Sequence, residues 1–174
     1  MVRLMTLEEM QHRLSNQVVP IFAFSGTTSV VVGTAILIAP GIALTAQHVM
    51  TEIQEHFQLP NTGNLNLDIY LFQLSTGAVW YACNATRWIG TDIAILSLRP
   101  RNEQATSVAV RQIQLTVDPP HVGATVTAIG YPRSELNIPR NDRDVLELNF
   151  SLLPTVSEGR VLEVHASFRD MANI

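Results

Sequence analysis

Cysteine is almost missing from this 174-residue chain, where Cys83 stands alone. One thiol cannot close an internal disulfide, so no covalent staple supports the fold and a reducing compartment suits it. Charge is sparse at 15% of residues, with 11 Lys and Arg against 15 Asp and Glu, a net charge of −4. That balance offers no footprint for nucleic acid or for an anionic membrane surface. Long apolar runs are also missing. The longest, around residues 30–40, is broken by Gly33 and Thr34, well short of the roughly 18 residues that suggest a membrane span. Glu8, Glu9, His12 and Arg13 interrupt any apolar core of a secretory leader. These absences point to an unexported, cytoplasmic protein, in which Asn84-Ala85-Thr86 and Asn149-Phe150-Ser151 match glycosylation acceptors by chance.

What is present is enough for a core. Hydrophobic residues make up 47% of the chain, which argues against disorder and allows one moderate domain or two small barrels. Thr6 and Glu9 read as a capping box, with Leu7, Met10 and Leu14 on one helical face, so a short N-terminal helix is expected within residues 1–17. Its Glu8 and Glu9 against a single Arg13 give the wrong balance for a lipid anchor.

After Pro20 the texture changes to short β-branched runs punctuated by Gly, Pro, Asn and Asp. Strands are expected at Val18–Ser25, Ser29–Ile38, Ile42–Thr45, Asp68–Leu74, Ala78–Thr86 and Ile93–Leu98, with a helical turn or two after His48. The polar stretch Arg99–Thr106 reads as a linker. Beyond it, strands are expected at Val108–Val117, Ala124–Ile129, Val145–Leu153 and Gly159–Ser167. Many short strands and few helices imply an all-β protein of antiparallel barrels or a sandwich.

One stretch is chemically out of place. His48 sits in Gly41–Met50 (GIALTAQHVM), among small and apolar residues. A lone histidine there is ordinarily structural, and a lone Asp92 before the apolar run Ile93–Leu98 reads as a turn or cap residue. His48 and His56 lie eight apart but lack a third ligand, so no metal is expected, and no cofactor. Cys83 has the setting of a small buried hydrophobe. His56 reads as solvated, and His121 and His165 as loop and strand-face residues.

Taken together, the segments carry a resemblance. Gly33-Thr34-Ala35 with Leu44-Thr45-Ala46-Gln47-His48-Val49 resembles the paired strands that bear the catalytic histidine of chymotrypsin/trypsin-like serine peptidases. Thr91-Asp92-Ile93-Ala94-Ile95-Leu96 resembles their acid segment. Gly123 to Pro132, ending in Gly130-Tyr131-Pro132, and Gly159-Arg160-Val161 resemble strands of their second barrel in bacterial, disulfide-free members. The resemblance implies a chymotrypsin-like double β-barrel, the first barrel over 18–98, a linker over 99–106 and a partial second barrel over 107–174. It also implies His48 as general base, Asp92 as its orienting acid, and a peptide or protein as substrate.

The family's nucleophile turn is not in the chain. None of its ten serines (15, 25, 29, 75, 97, 107, 134, 151, 157 and 167) lies in a Gly-x-Ser-Gly-Gly sequence, and no Gly-Gly pair occurs. Only Ser25 precedes a glycine, ahead of the His48 motif. Such an enzyme needs roughly 200 or more residues, so the expectation is an inactive fragment of a longer product. The alternatives are an enzyme half completed by another chain, or a non-catalytic module that binds peptides or a partner.

Overall fold

A computed structural model of the protein describes residues 17–25, 28–58, 68–74, 78–87, 92–101, 115–116, 118–131, 134–137, 149–151 and 154–164. The expected N-terminal helix, most of the linker and His165 lie outside these residues. Two compact units make up the chain, residues 1–113 with 130–155, and residues 114–129 with 156–174.

Alternation builds the first unit. In β1 (Val18–Ser25), Val19, Ile21 and Ala23 share one buried face, as the two-residue period of a strand requires. β2 (Thr28–Ala39) adds Ala35 and Leu37, and β3 (Ile42–Thr45) adds Ala43. β4 (Asp68–Leu74) adds Ile69 and Leu71, β5 (Ala78–Arg87) Tyr81, and β6 (Ala94–Pro100) Ala94, Leu96 and Leu98. The strands close into an antiparallel barrel in the order β1-β2-β3-β6-β5-β4, which leaves no open sheet edge. Small alanines stand opposite Ile and Leu, Ala23 opposite Ile69 and Ala43 opposite Leu37 and Leu96, the small-against-large pattern of a filled small barrel. Gln73 is fully buried with this core, and the Tyr81 hydroxyl donates to its Oε1 at 3.2 Å. Burial raises the Tyr81 phenol above its ordinary pKa, keeping it a neutral donor.

Pro40 and Gly41 join β2 to β3, and Gly41 takes the positive φ (76°) that such a tight hairpin needs. α1 (Gln47–His56) follows β3 and is the one helix among the described residues. Its Val49, Met50 and Ile53 lie on one helical face and enter the barrel's core cluster. A register shift between Ile21 and Phe22 places Gly33 opposite Ile21 and Val31 opposite Phe22, a bulge that bends β2 locally. There α1 comes so close that a Cβ on Gly33 would stand 2.8 Å from Cγ1 of Val49.

The rest is a partial second set of strands. β7 (Thr125–Gly130) pairs with β10 (Thr155–Arg160), and β8 (Glu135–Asn137) with β9 (Asn149–Ser151). The Gly123 N–H donates to the Val161 carbonyl at 2.7 Å and the Val161 N–H to the Ala124 carbonyl at 3.0 Å.

Several element bounds differ from the sequence expectation. Arg99 and Pro100 continue β6 opposite Ala82 and Tyr81 rather than opening a linker, because β5 is long enough to pair them. Leu115 and Thr116 are exposed and not in a strand. β10 begins at Thr155 and ends at Arg160, and Val161 beyond it still bonds with Gly123 and Ala124 just ahead of β7. β8 has no counterpart in the sequence reading. Among the described residues no helix is long and apolar enough to cross a membrane.

Candidate active site

β3 and β6 are antiparallel neighbours, with Thr45 opposite Ala94. The last residue of β3 therefore lies beside the first of β6, and residues just beyond both ends emerge at the same rim of the barrel. His48 is three residues past Thr45, and Asp92 is two before Ala94. This register brings together two side chains 44 residues apart, with His48 Nδ1 2.7 Å from Asp92 Oδ2.

A second bond runs through the backbone. The His48 N–H donates to Asp92 Oδ1 at 2.8 Å. Its cause is helical: the first N–H groups of a helix have no intrahelical acceptor. Ala46 at the start of α1 has no side-chain cap, and the first turn carries no acidic residue. Asp92 supplies the acceptor from the next strand pair. A carboxylate also suits the positive end of the helix dipole.

The His48 backbone bond is the largest cause holding the Asp92 carboxyl below its ordinary pKa. The His48 side-chain bond follows, and partial desolvation opposes both. An ionised Asp92 is an acceptor only, so it favours the tautomer with the proton on Nδ1 of His48, which leaves the lone pair on Nε2. The His48 side chain is 69% exposed and that of Asp92 60%, so His48 is not a core histidine. The burial suggested by its neighbours belongs to Val49 and Met50. What the arrangement offers is an oriented, accessible base.

A pH dependence follows from the direction of the Asp92 shift. A depressed folded pKa means that the ionised form favours the folded state. That contribution is complete above the ordinary aspartate value and is lost as pH falls through the lower folded value. In an ¹H–¹⁵N NMR titration, the His48 amide should show a transition below the ordinary aspartate range, while barrel amides such as Leu71 stay still. A His48 amide indifferent to that range would contradict the capping bond.

The other histidines and Cys83 lie elsewhere in the chain. His56 is exposed at the end of α1 with its ring edge-on to Phe57, and His121 is exposed ahead of β7. Cys83 falls in β5 opposite Leu98. Among the described residues no group of three or more His, Cys, Asp or Glu could hold a metal ion.

Two polar contacts near the site escape sequence reasoning. The Thr45 hydroxyl donates to the Thr34 carbonyl at 2.8 Å, and the Thr34 hydroxyl accepts the Tyr131 N–H at 3.0 Å. Tyr131 also reaches β1, where its hydroxyl donates to the Val18 carbonyl at 3.1 Å. Gln17 uses its carbonyl on Leu37 of β2, so that of Val18 faces the opposite edge. The β4 ladder there begins only at Ile21, and the phenol takes the acceptor that β4 does not reach.

A family model described as a trypsin-like peptidase domain matches residues 33–173, a span that takes in β2 from Gly33, α1, Asp92 and Tyr131. No curated protein matches the chain. The closed six-stranded barrel, the partial second set of strands and this match agree with a chymotrypsin-like fold. The chain belongs to the trypsin-like peptidase domain family.

Proposed function

We propose that His48 and Asp92 are the general base and orienting acid of a serine endopeptidase site, acting on peptide or protein substrates by acyl transfer. The observation that carries this reading is the 2.7 Å contact between His48 Nδ1 and Asp92 Oδ2 on an exposed rim. Asp92 fixes the tautomer that leaves Nε2 free to accept a proton from a serine hydroxyl as that oxygen attacks the carbonyl. The imidazolium so formed is stabilised by the Asp92 charge and returns its proton to the leaving amine. These steps belong to the general chemistry of such sites, and the geometry of His48 and Asp92 supports their assignment here.

The attack itself needs a nucleophile and amide donors for the oxyanion. No serine of residues 1–174 stands in the Gly-x-Ser-Gly-Gly turn that supplies both in this family. Residues 1–174 are therefore read as the base-and-acid part of a site, without hydrolytic activity of their own. The same serine inventory favours a second reading, a protease-like module that binds peptides or a partner without cleaving them.

A serine-directed fluorophosphonate probe tests the absence of a nucleophile from residues 1–174. Residues 1–174 should take up no label and cleave no peptide substrate, because a base lacking oxyanion donors is slowed by a further factor on the order of 10²–10³. Stoichiometric labelling of one of the ten serines would overturn the reading of residues 1–174 as lacking a nucleophile, and would support a complete site around His48.

A further inference from the structure

We infer that Thr45 is a positioning residue for His48, which it serves by pinning the point where the chain leaves β3 for α1; this rests on the reading of His48 as a base. The backbone ladder between β2 and β3 runs from Ala39 opposite Ile42 to Ile36 opposite Leu44, where it stops. Strand alternation shows what the next bond would have been. Leu37 turns both its N–H and its carbonyl toward Gln17, at 2.7 and 3.2 Å. Ile36 and Thr34 consequently face β3, and the next hydrogen-bonded pair would join Thr34 to Ala46.

Ala46 instead starts α1, and its carbonyl accepts the Val49 N–H at 3.2 Å. The Thr34 carbonyl is taken by the Thr45 hydroxyl at 2.8 Å. A side chain thus stands in for a ladder bond at the residue where strand geometry gives way to helix. Thr45 is buried, at 9% exposure, so its hydroxyl has little water to turn to.

Thr34 is a firm anchor because it is held on several sides. It pairs with Pro20 in the β1 ladder, its hydroxyl accepts the Tyr131 N–H, and its neighbour Gly33 lies against Val49. Three residues beyond Thr45, His48 must meet Asp92 with both its ring and its N–H. The direction in which β3 ends decides whether both bonds form together.

Amide hydrogen exchange at His48 tests this on the 174-residue chain, since that N–H is itself bonded to Asp92. Thr45→Val keeps the shape of the side chain and removes the hydroxyl, and Thr45→Ser restores the hydroxyl. Thr45→Val should exchange the His48 amide on the order of tenfold faster, as expected for the loss of one ordinary hydrogen bond. Core amides such as Ile21 and Leu71 should keep their rates, and Thr45→Ser should return His48 to the wild-type rate. The inference is overturned by an unchanged His48 rate in Thr45→Val, or by equal acceleration of the core. It is also overturned if Thr45→Val fails to fold while Thr45→Ser folds, which would assign the hydroxyl to the barrel as a whole. Exchange reads geometry whether or not His48 moves protons. Failure of the base reading would show separately, as turnover indifferent to His48→Ala in a form that carries the Gly-x-Ser-Gly-Gly turn.

Discussion

In a form of the protein whose reading frame supplies a Gly-x-Ser-Gly-Gly turn, His48→Ala should lower kcat by about 10⁶ and Asp92→Asn by about 10⁴. These are the losses found when the same constellation is dismantled in enzymes of this chemistry. The two variants fail for different reasons. Alanine removes the proton acceptor, so nothing takes the serine proton as the carbonyl is attacked. Asparagine keeps an oxygen for the His48 N–H, whose bond to Asp92 Oδ1 is 2.8 Å. It turns an NH₂ group toward Nδ1, now a donor where an acceptor stood. The ring must then present a lone pair at Nδ1 and a proton at Nε2, the wrong tautomer for a base. Steady-state kinetics on a peptide ester separates the cases. Equal and small losses in both variants would mean that neither residue serves the chemistry.

Ile53→Ala should destabilise the first unit by about 2–5 kcal/mol, the cost of emptying a fully buried aliphatic site that cannot collapse. Ile53 is 0% exposed and, with Val49 and Met50, fixes α1 to the barrel core. It is one helical turn from Val49, whose side chain rests on Gly33, so relaxation to fill the gap would have to move the turn that carries His48. Urea unfolding followed by circular dichroism measures the loss as a lower midpoint at unchanged slope. A change below about 0.5 kcal/mol, the range of a surface substitution, would mean that α1 is not docked as described.

Much of the first unit is legible in the sequence. The bounds of β1, β3 and β4 coincide with the apolar runs Val18–Ser25, Ile42–Thr45 and Asp68–Leu74, because each run ends at a residue that breaks alternation or at a turn. α1 is legible only as a turn or two, since Glu52, Gln54 and Glu55 dilute the stripe Val49, Met50, Ile53. β8 and β10 are hidden because Glu135–Asn137 is too short for a pattern and Thr155–Arg160 is mostly exposed. A mostly exposed strand such as β10 has no buried face to impose a period.

The site divides in the same way. His48 and Asp92 stand out by resemblance to family motifs, but their meeting depends on Thr45 lying opposite Ala94. Such a pairing leaves no mark on either segment alone. Read locally, Asp92 suggests a cap, and it does accept a helix N–H, though the helix begins 44 residues earlier. Thr45 is written inside the histidine motif, yet its partner is a backbone carbonyl of Thr34, which no side-chain pattern records.

The most direct test of the account is paired fluorophosphonate labelling of a form whose reading frame supplies the Gly-x-Ser-Gly-Gly turn, with and without His48→Ala. One label per chain, on the serine of that turn, should appear in the wild-type protein and vanish with His48→Ala. Labelling that survives the loss of His48, or a form with the turn that takes no label at all, would contradict the assignment of His48 and Asp92 as the proton-handling pair.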